Sequence, residues 1–457
     1  MIYMKSAIKD LRPFFAPISL IVIGASRNLL TFNYTIIKNL RELRYKGNLY
    51  ILHPEATEIL NVKAYSKLEE LPEVPELAVI LLRKKIIENI KELADFGIKY
   101  YIIQSDLSVE PNLDILRSEL KEIANQKGLY ILGPSSIGVI NTENYFTTSV
   151  VPVRRHIIQK HRLLNEEGGF SFLAQSGGLA GALGWWAPYQ SFPISKVIHI
   201  GTAVNITDAE VLEYLYNDDS TRVIGLYLRE ITEDLVSIAQ KYVGKKPLLY
   251  KYIGKSNELS NEFSKYALEV QNYIELFDFA KVFLWCPPPT GNNIAIIGPS
   301  SGAIRLLTAE MRKYDLHLAR LQPITKSSIL EKVGGSTCLE GNPVDYWPPK
   351  KFVGTDICKI YYNSSNLLLN DKNVDGLFLA LEFFSEIEFD FEIFHEIKNK
   401  FPNKTIITVI IQAEKEGQER IIECATKLKI PVFINEVERA IRSFYYLLKY
   451  YKISANK

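Results

Sequence analysis

Cysteine, methionine, tryptophan and histidine are scarce in this sequence: four, three, four and six of them among 457 residues. The cysteines (Cys286, Cys338, Cys358, Cys424) are scattered, with no C-x-x-C pair. That excludes a disulfide framework and a cysteine-based zinc site, and it fits a reducing compartment. An excess of charge is also missing: 54 basic residues stand against 52 acidic ones, a net +2. A broad nucleic-acid or membrane-binding surface is therefore not expected. No apolar run reaches the roughly 18 residues of a membrane span, and Met1 to Asp10 holds no apolar core of signal-peptide length. The expectation is a soluble, cytoplasmic protein without a metal site.

What the chain does have is an apolar content of 47%, ample for buried cores, and a length that suggests about three domains. Apolar runs of strand length alternate with amphipathic helical segments, the pattern of parallel sheets covered on both faces. In the first third, strands are expected at 18–24, 48–52, 77–82, 99–103 and 129–132, with helices at 34–43, 86–96 and 114–126. Three strand ends fall at Gly24-Ala25-Ser26-Arg27, at His53-Pro54-Glu55 and at Gly133-Pro134-Ser135-Ser136. Ligands of such sheets bind at strand carboxyl ends. The Gly24 loop lacks the G-x-G-x-x-G fingerprint and an acidic residue about 20 positions on, so a nicotinamide oxidoreductase fits poorly. Ser26 and Arg27 supply a hydroxyl and a cation suited to a phosphate-bearing nucleotide.

Residues 142–167 read as a connection, and the histidines His156 and His161 within it as solvated. The next unit opens with Gly169–Ala174, then Gln175-Ser176-Gly177-Gly178, then the apolar 182–186, which fits a buried helix. Small residues ahead of a helix let backbone N–H groups face an anion, so this loop is a phosphate site or a tight turn. The same device recurs at Gly298-Pro299-Ser300-Ser301-Gly302, after the stiff linker Pro287-Pro288-Pro289. A helix is expected from Glu262 to Leu276. Domain boundaries follow at 1–150, 151–289 and 290–457.

In order along the chain, the segments Ile21–Asn28, Gly133–Asn141, Gln175–Gly178, Ile200-Gly201 with Leu212–Leu215, Asn342–Asp345 and Pro431–Phe433 resemble the alpha subunits of nucleoside-diphosphate-forming acyl-CoA synthetases. This is the acetate–CoA ligase (ADP-forming) type, related to succinyl-CoA ligase. The resemblance implies an α/β chain with a CoA-binding Rossmann-like domain followed by two flavodoxin-like doubly wound domains. It implies CoA bound by Gly24, Ala25, Ser26, Arg27, Pro54, Gly133, Pro134, Ser135 and Ser136, and a phosphoryl group held at Gln175, Ser176, Gly177 and Gly178. ATP, ADP and magnesium would be met only through an ATP-grasp beta subunit. A related alpha subunit is the other implied partner, so an oligomer is expected.

The family also carries a histidine that takes the phosphoryl group from an acyl phosphate. It falls in the interval matching residues 253–271, where this chain has no histidine. Arg229 stands where the family's orienting carboxylate belongs, with Glu230 one residue later, and Thr202 to Asn205 replace a polar N-K-A-D. Ser135 and Ser136 replace Asn and Cys, and Glu55 replaces a lysine. His199 is the nearest histidine, read here as a buried strand residue and a weak substitute; Glu230 is the matching weak carboxylate. Two functions follow: a CoA-binding homologue without phosphohistidine chemistry, or an active ADP-forming ligase alpha subunit.

Overall fold

The computed structural model describes residues 9–105, 107, 112–186, 193–332, 341–345, 355–383 and 389–455. It forms two compact units, through Glu269 and from Val270 onward. Cys338 lies outside the described residues.

The first sheet is built from β1 (Ser19–Ile23), β2 (Asn48–Leu52), β3 (Glu58–Ile59), β4 (Val62–Tyr65), β5 (Leu77–Ile80), β6 (Tyr100–Ile103) and β7 (Tyr130–Leu132), in the order β3-β4-β2-β1-β5-β6-β7. From β4 onward all neighbours are parallel. With the β3 hairpin set aside, this is the Rossmann order, with its switch point between β1 and β5. The sheet is covered on both faces, and β1 shows why. Leu20 and Val22 enter one apolar core, while Ile21 and Ile23 enter another on the opposite face. Successive side chains on a strand point to opposite sides, so a strand buried on both faces reads as a near-continuous apolar run. Helices α1 (Arg12–Phe15), α2 (Phe32–Leu43), α3 (Ile86–Asp95) and α4 (Leu113–Lys127) accompany it. The β3–β4 hairpin was not foreseen; its strands are too short to show a period.

The second sheet contains β8 (Gly138–Asn141), β9 (Phe146–Thr147), β10 (Gly169–Ala174), β11 (Ile194–His199), β12 (Thr221–Leu228), β13 (Leu248–Tyr252) and β14 (Leu268–Glu269). Its order is β14-β13-β12-β10-β11-β8-β9, with β8 antiparallel to β11. The five parallel strands follow flavodoxin order, which places their switch point between β10 and β12. Pairing of β8 with β11, and of β9 with β8, carries residues 138–147 into this sheet, ahead of the expected boundary at 150. The expected connection at 142–167 holds a helix, α5 (Arg155–Leu163). Ile157, Ile158 and His161 share its buried face at helical spacing, so His161 is buried and not solvated as expected. His156 is exposed.

Three further expectations change here. Helix α6 spans Gly177–Ala182, so both glycines lie inside its first turn, and the apolar run after it leaves the helix with Trp185 exposed. Helices α7 (Asp208–Asn217) and α8 (Glu233–Lys241) follow as the periodicity indicates. The helix expected from Glu262 to Leu276 breaks up. Asn257 and Ser260 cap a short α9 (Glu258–Phe263), Leu268 pairs with Leu249 of β13, and a new helix, α10, spans Glu275–Trp285.

In the second unit, β15 (Asn293–Gly298), β16 (His317–Leu318), β18 (Gly376–Phe383), β19 (Thr405–Ala413) and β20 (Val432–Ile434) are ordered β16-β15-β18-β19-β20, again the flavodoxin order, with β17 (Val344–Asp345) beside β15. Its helices are α10, α11 (Ser301–Met311), α12 (Pro323–Lys332), α13 (Thr355–Asn370), α14 (Ile393–Lys400), α15 (Lys415–Lys427) and α16 (Val437–Ala455). The Asn342 amide explains the N-P-V-D segment. Its Oδ1 accepts from Ile296 N at 3.1 Å, and its Nδ2 donates to Ile294 O and Ala319 O at 3.0 Å each.

Candidate functional site

The Gly24 loop stands at the switch point of the first sheet. Gly24 has φ +85°, and a Cβ there would lie 2.9 Å from Leu82 Cδ2 on the loop after β5. Only glycine meets both conditions without strain. Asn33 on α2 fastens the turn, its Nδ2 donating to Gly24 O at 2.6 Å. Ser26 Oγ accepts from Asn28 N at 3.0 Å, and Thr31 caps α2 through Tyr34 N. Ala25 is buried and Arg27 exposed. Across the switch point, Arg83 and Lys84 are exposed on the loop after β5. Sequence reading passed over this pair, because only the sheet order puts it beside Gly24. Leu29, Leu30 and Phe32 extend the loop as exposed apolar surface.

The other residues expected at the CoA edge divide by exposure. Pro54 and Glu55 are exposed, while His53 Nδ1 accepts from Glu55 N at 3.1 Å and Ala56 N at 2.9 Å, holding the turn. Gly133 and Pro134 are buried at the end of β7. Ser135 Oγ accepts from Leu107 N at 3.1 Å. Ser136 is buried, and its hydroxyl donates to His199 O and accepts from Gly138 N at 2.9 Å. Its polar capacity is spent inside the protein.

That bond joins the loop after β7 to the second sheet. Ile137 N donates to His199 Nδ1 at 3.0 Å, and Thr202 N donates to Pro134 O at 2.7 Å. Gly201 has φ +67°, and a Cβ on it would collide with the Pro134 carbonyl. The two loops, far apart in sequence, form one junction. Burial, with a smaller contribution from the Arg229 charge, pushes the His199 imidazole down to about 4, so the ring is neutral.

The Gln175–Gly178 segment lies above His199. A Cβ on Gly177 would stand 2.9 Å from Ile137 Cγ2 and 3.2 Å from His199 Cε1, while one on Gly178 meets nothing within 4 Å. Gln175 bridges the switch point. Its Oε1 accepts from Arg229 N at 2.6 Å and Glu230 N at 3.0 Å, and its Nε2 donates to Asp208 Oδ2 at 2.7 Å. Asp208 begins α7, and its Oδ1 has no hydrogen-bond partner among the described residues. Burial pushes its carboxyl up to about 6, opposed by the Gln175 bond and assisted by the nearby Glu230 charge. Sequence reading missed Asp208 as a member of this cluster. By sequence alone it is one of the acids in the first turn of α7, a place it does occupy. Ser176 precedes α6, and Arg229 and Glu230 are exposed.

At the third small-residue loop, Ser300 Oγ accepts from Ala303 N at 3.2 Å and donates to Glu382 Oε1 at 3.0 Å. A carboxylate of the chain itself stands at this helix start, so the device does not recur here as an anion site. Among the described residues no group of three or more His, Cys, Asp or Glu could hold a metal, and no helix is long and apolar enough to cross a membrane.

Comparison with known proteins gives these features a context. Residues 19–142 match the CoA binding domain, and residues 167–267 match the succinyl-CoA ligase like flavodoxin domain. The chain is 30% identical over 410 residues to the acetate–CoA ligase [ADP-forming] II of Archaeoglobus fulgidus, covering 84% of this chain and 59% of that protein. It thus spans about three fifths of that relative's length. It is 29% identical over 388 residues to the acetate–CoA ligase [ADP-forming] II subunit alpha of Pyrococcus furiosus, covering 80% of each. A crystal structure from Pyrococcus horikoshii OT3 shares the fold, with a TM-score of 0.83 at 24% identity over 97% of this chain and 99% of that one. A Rossmann sheet matching a CoA-binding domain and a flavodoxin-ordered sheet matching a succinyl-CoA ligase-like domain, together with relatives among acetate–CoA ligases, are what this chain shares with the ADP-forming acyl-CoA synthetases.

Proposed function

We propose that this chain is a CoA-binding homologue of the ADP-forming acyl-CoA synthetase alpha subunits that does not carry a phosphoryl group on histidine. The observation that supports it most is the bond from Ile137 N to His199 Nδ1. A backbone N–H can only donate, so Nδ1 is the acceptor and the neutral ring keeps its proton on Nε2. A phosphoryl carrier needs a free lone pair on one nitrogen and a partner that takes a proton from the other. Here one lone pair is engaged by the backbone and the other nitrogen is protonated. Arg229, at the position of the family's orienting carboxylate, adds a positive charge and no proton acceptor.

The residues at the Gly24 loop fit CoA. Arg27, Arg83 and Lys84 offer exposed cations to its phosphates, and the backbone at Gly24 and Ser26 offers close approach. Leu29, Leu30 and Phe32 offer apolar surface to its uncharged arm. CoA brings the thiol on which acyl groups travel; the chain's part is to hold it at the carboxyl edge of the first sheet. Pairing with an ATP-grasp subunit, or with a related alpha subunit, in the cytoplasm belongs to the same reading. So does the view that ATP, ADP and magnesium reach the complex only through that partner.

Two measurements test it. Calorimetric titration with CoA is expected to give binding that weakens at least ten-fold in Arg27→Glu; unchanged affinity would remove the Gly24 loop from the site. Incubation with radiolabelled ATP, magnesium and an ATP-grasp subunit is expected to leave this chain unlabelled while a histidine-bearing alpha subunit takes up acid-labile, base-stable phosphate. Label on this chain would instead establish the active-ligase reading.

A further inference from the structure

We infer that the first domain carries a second anion-binding site, at the opposite end of α2 from the Gly24 loop, for a small organic phosphate with two or more negative charges. A cleft of about 550 Å³ opens there between the end of α2, the start of β2 and the β3–β4 turn. Its size is in the range of small-molecule sites and far exceeds what a single inorganic ion fills. Arg41, Arg44 and Lys63 line it, and all three are exposed. No carboxylate lines it, and among the described residues none of the three cations has a carboxylate partner within ion-pair distance. Glu58 is the nearest in register, opposite Lys63 across the hairpin, yet Lys63 Nζ lies 4.5 Å over the Tyr65 ring.

Cations at a helix end often serve only the helix. Here the last carbonyls of α2 are already satisfied. Arg44 N donates to Arg41 O at 3.1 Å, Tyr45 N to Leu40 O at 3.0 Å, and Arg155 Nη1 to Leu43 O at 2.8 Å. The guanidinium groups of Arg41 and Arg44 are therefore free for a ligand, and Lys63 comes from a different element. Like charges gathered around an open cleft repel one another, and a dianion relieves that cost. Partly buried Tyr45 and Leu49 give the floor an apolar side for the organic part. Helix α2 has 12 residues, so about 18 Å separates this cleft from the Gly24 loop. The site is independent of the CoA reading.

ADP serves as the probe, titrated calorimetrically into the full chain in the Arg27→Glu background, so that the Gly24 loop cannot account for the heat. The expected result is one equivalent of ADP bound, weakened at least ten-fold by Arg41→Glu with Arg44→Glu and about three-fold by Lys63→Gln, while adenosine does not bind. The milder Lys63→Gln keeps the test valid should the double charge reversal fail to fold. Absence of ADP binding, affinity unchanged in these variants, or sulfate competing as well as ADP (an adventitious ion only) would each overturn the proposal. So would binding confined to RNA or to anionic vesicles.

Discussion

The backbone N–H of Ile137 donates to Nδ1 of His199 at 3.0 Å, and with Ser136 Oγ donating to His199 O it ties the loop after β7 to the end of β11. The bond holds together two elements that sequence reading gave separate roles, one to CoA and one to phosphoryl chemistry. It also fixes the ring's tautomer and so bears on the chemistry the site can perform.

The first prediction concerns pH. His199 sits at about 4 in the folded chain, against an ordinary value near 6.5. Between those values the unfolded chain binds a proton that the folded chain does not, so this residue lowers stability as pH falls from about 6.5 to 4, by about 3 kcal/mol in all. Asp208 has the opposite sign. Its folded carboxyl titrates at about 6, against an ordinary value of 3.8, so the folded chain binds the extra proton and stability falls as pH rises across that window. The two contributions oppose each other in the native chain. Urea denaturation at pH 4.5 and 7.5 should show His199→Gln gaining stability at the lower pH relative to the higher. Asp208→Asn, whose amide oxygen still accepts from Gln175, should gain at the higher pH. Profiles matching the unmodified chain in both variants would contradict the assignment.

The second prediction separates two adjacent glycines. Gly177→Ala places a methyl against Ile137 Cγ2 and the His199 ring. It should cost about 1–3 kcal/mol, as overpacking does. Gly178→Ala points into open space in the first turn of α6 and should be neutral or stabilising by up to about 1 kcal/mol. Thermal unfolding of the two variants side by side reads the difference directly. Equal melting temperatures would mean that the Gly177 loop does not rest on His199.

A third prediction concerns the second unit. Glu275 of α10 is fully buried and paired with Arg442 of α16, which also donates to Tyr314 Oη at 3.3 Å. Removing one member of such a pair strands the other without water. Glu275→Ala should destabilise this unit by about 3–5 kcal/mol, and Glu275→Ala with Arg442→Met by clearly less. Denaturant unfolding of both variants is the check; equal losses would show that the cost is packing and not charge.

The sequence by itself determined the alternation of strands and helices, the three strand-end loops and the family resemblance. Strands such as β1 and β10 are apolar but for one serine each (Ser19 and Ser171) because both faces are buried, and that is visible one residue at a time. The Rossmann order of the first sheet and the flavodoxin order of the other two followed from the resemblance, and the pairing bears them out. The tertiary structure alone decided the candidate site. His199 reads as a strand residue, Ser136 as a ligand contact, Asp208 as an acid in the first turn of a helix and Gln175 as part of a small-residue loop. They become one cluster because parallel sheets bring the carboxyl ends of strands together whatever their separation in sequence. The direction of each hydrogen bond then fixes which nitrogen of His199 holds its proton. Periodicity carries no information about that direction, because it depends on which backbone group from a distant loop arrives at the ring.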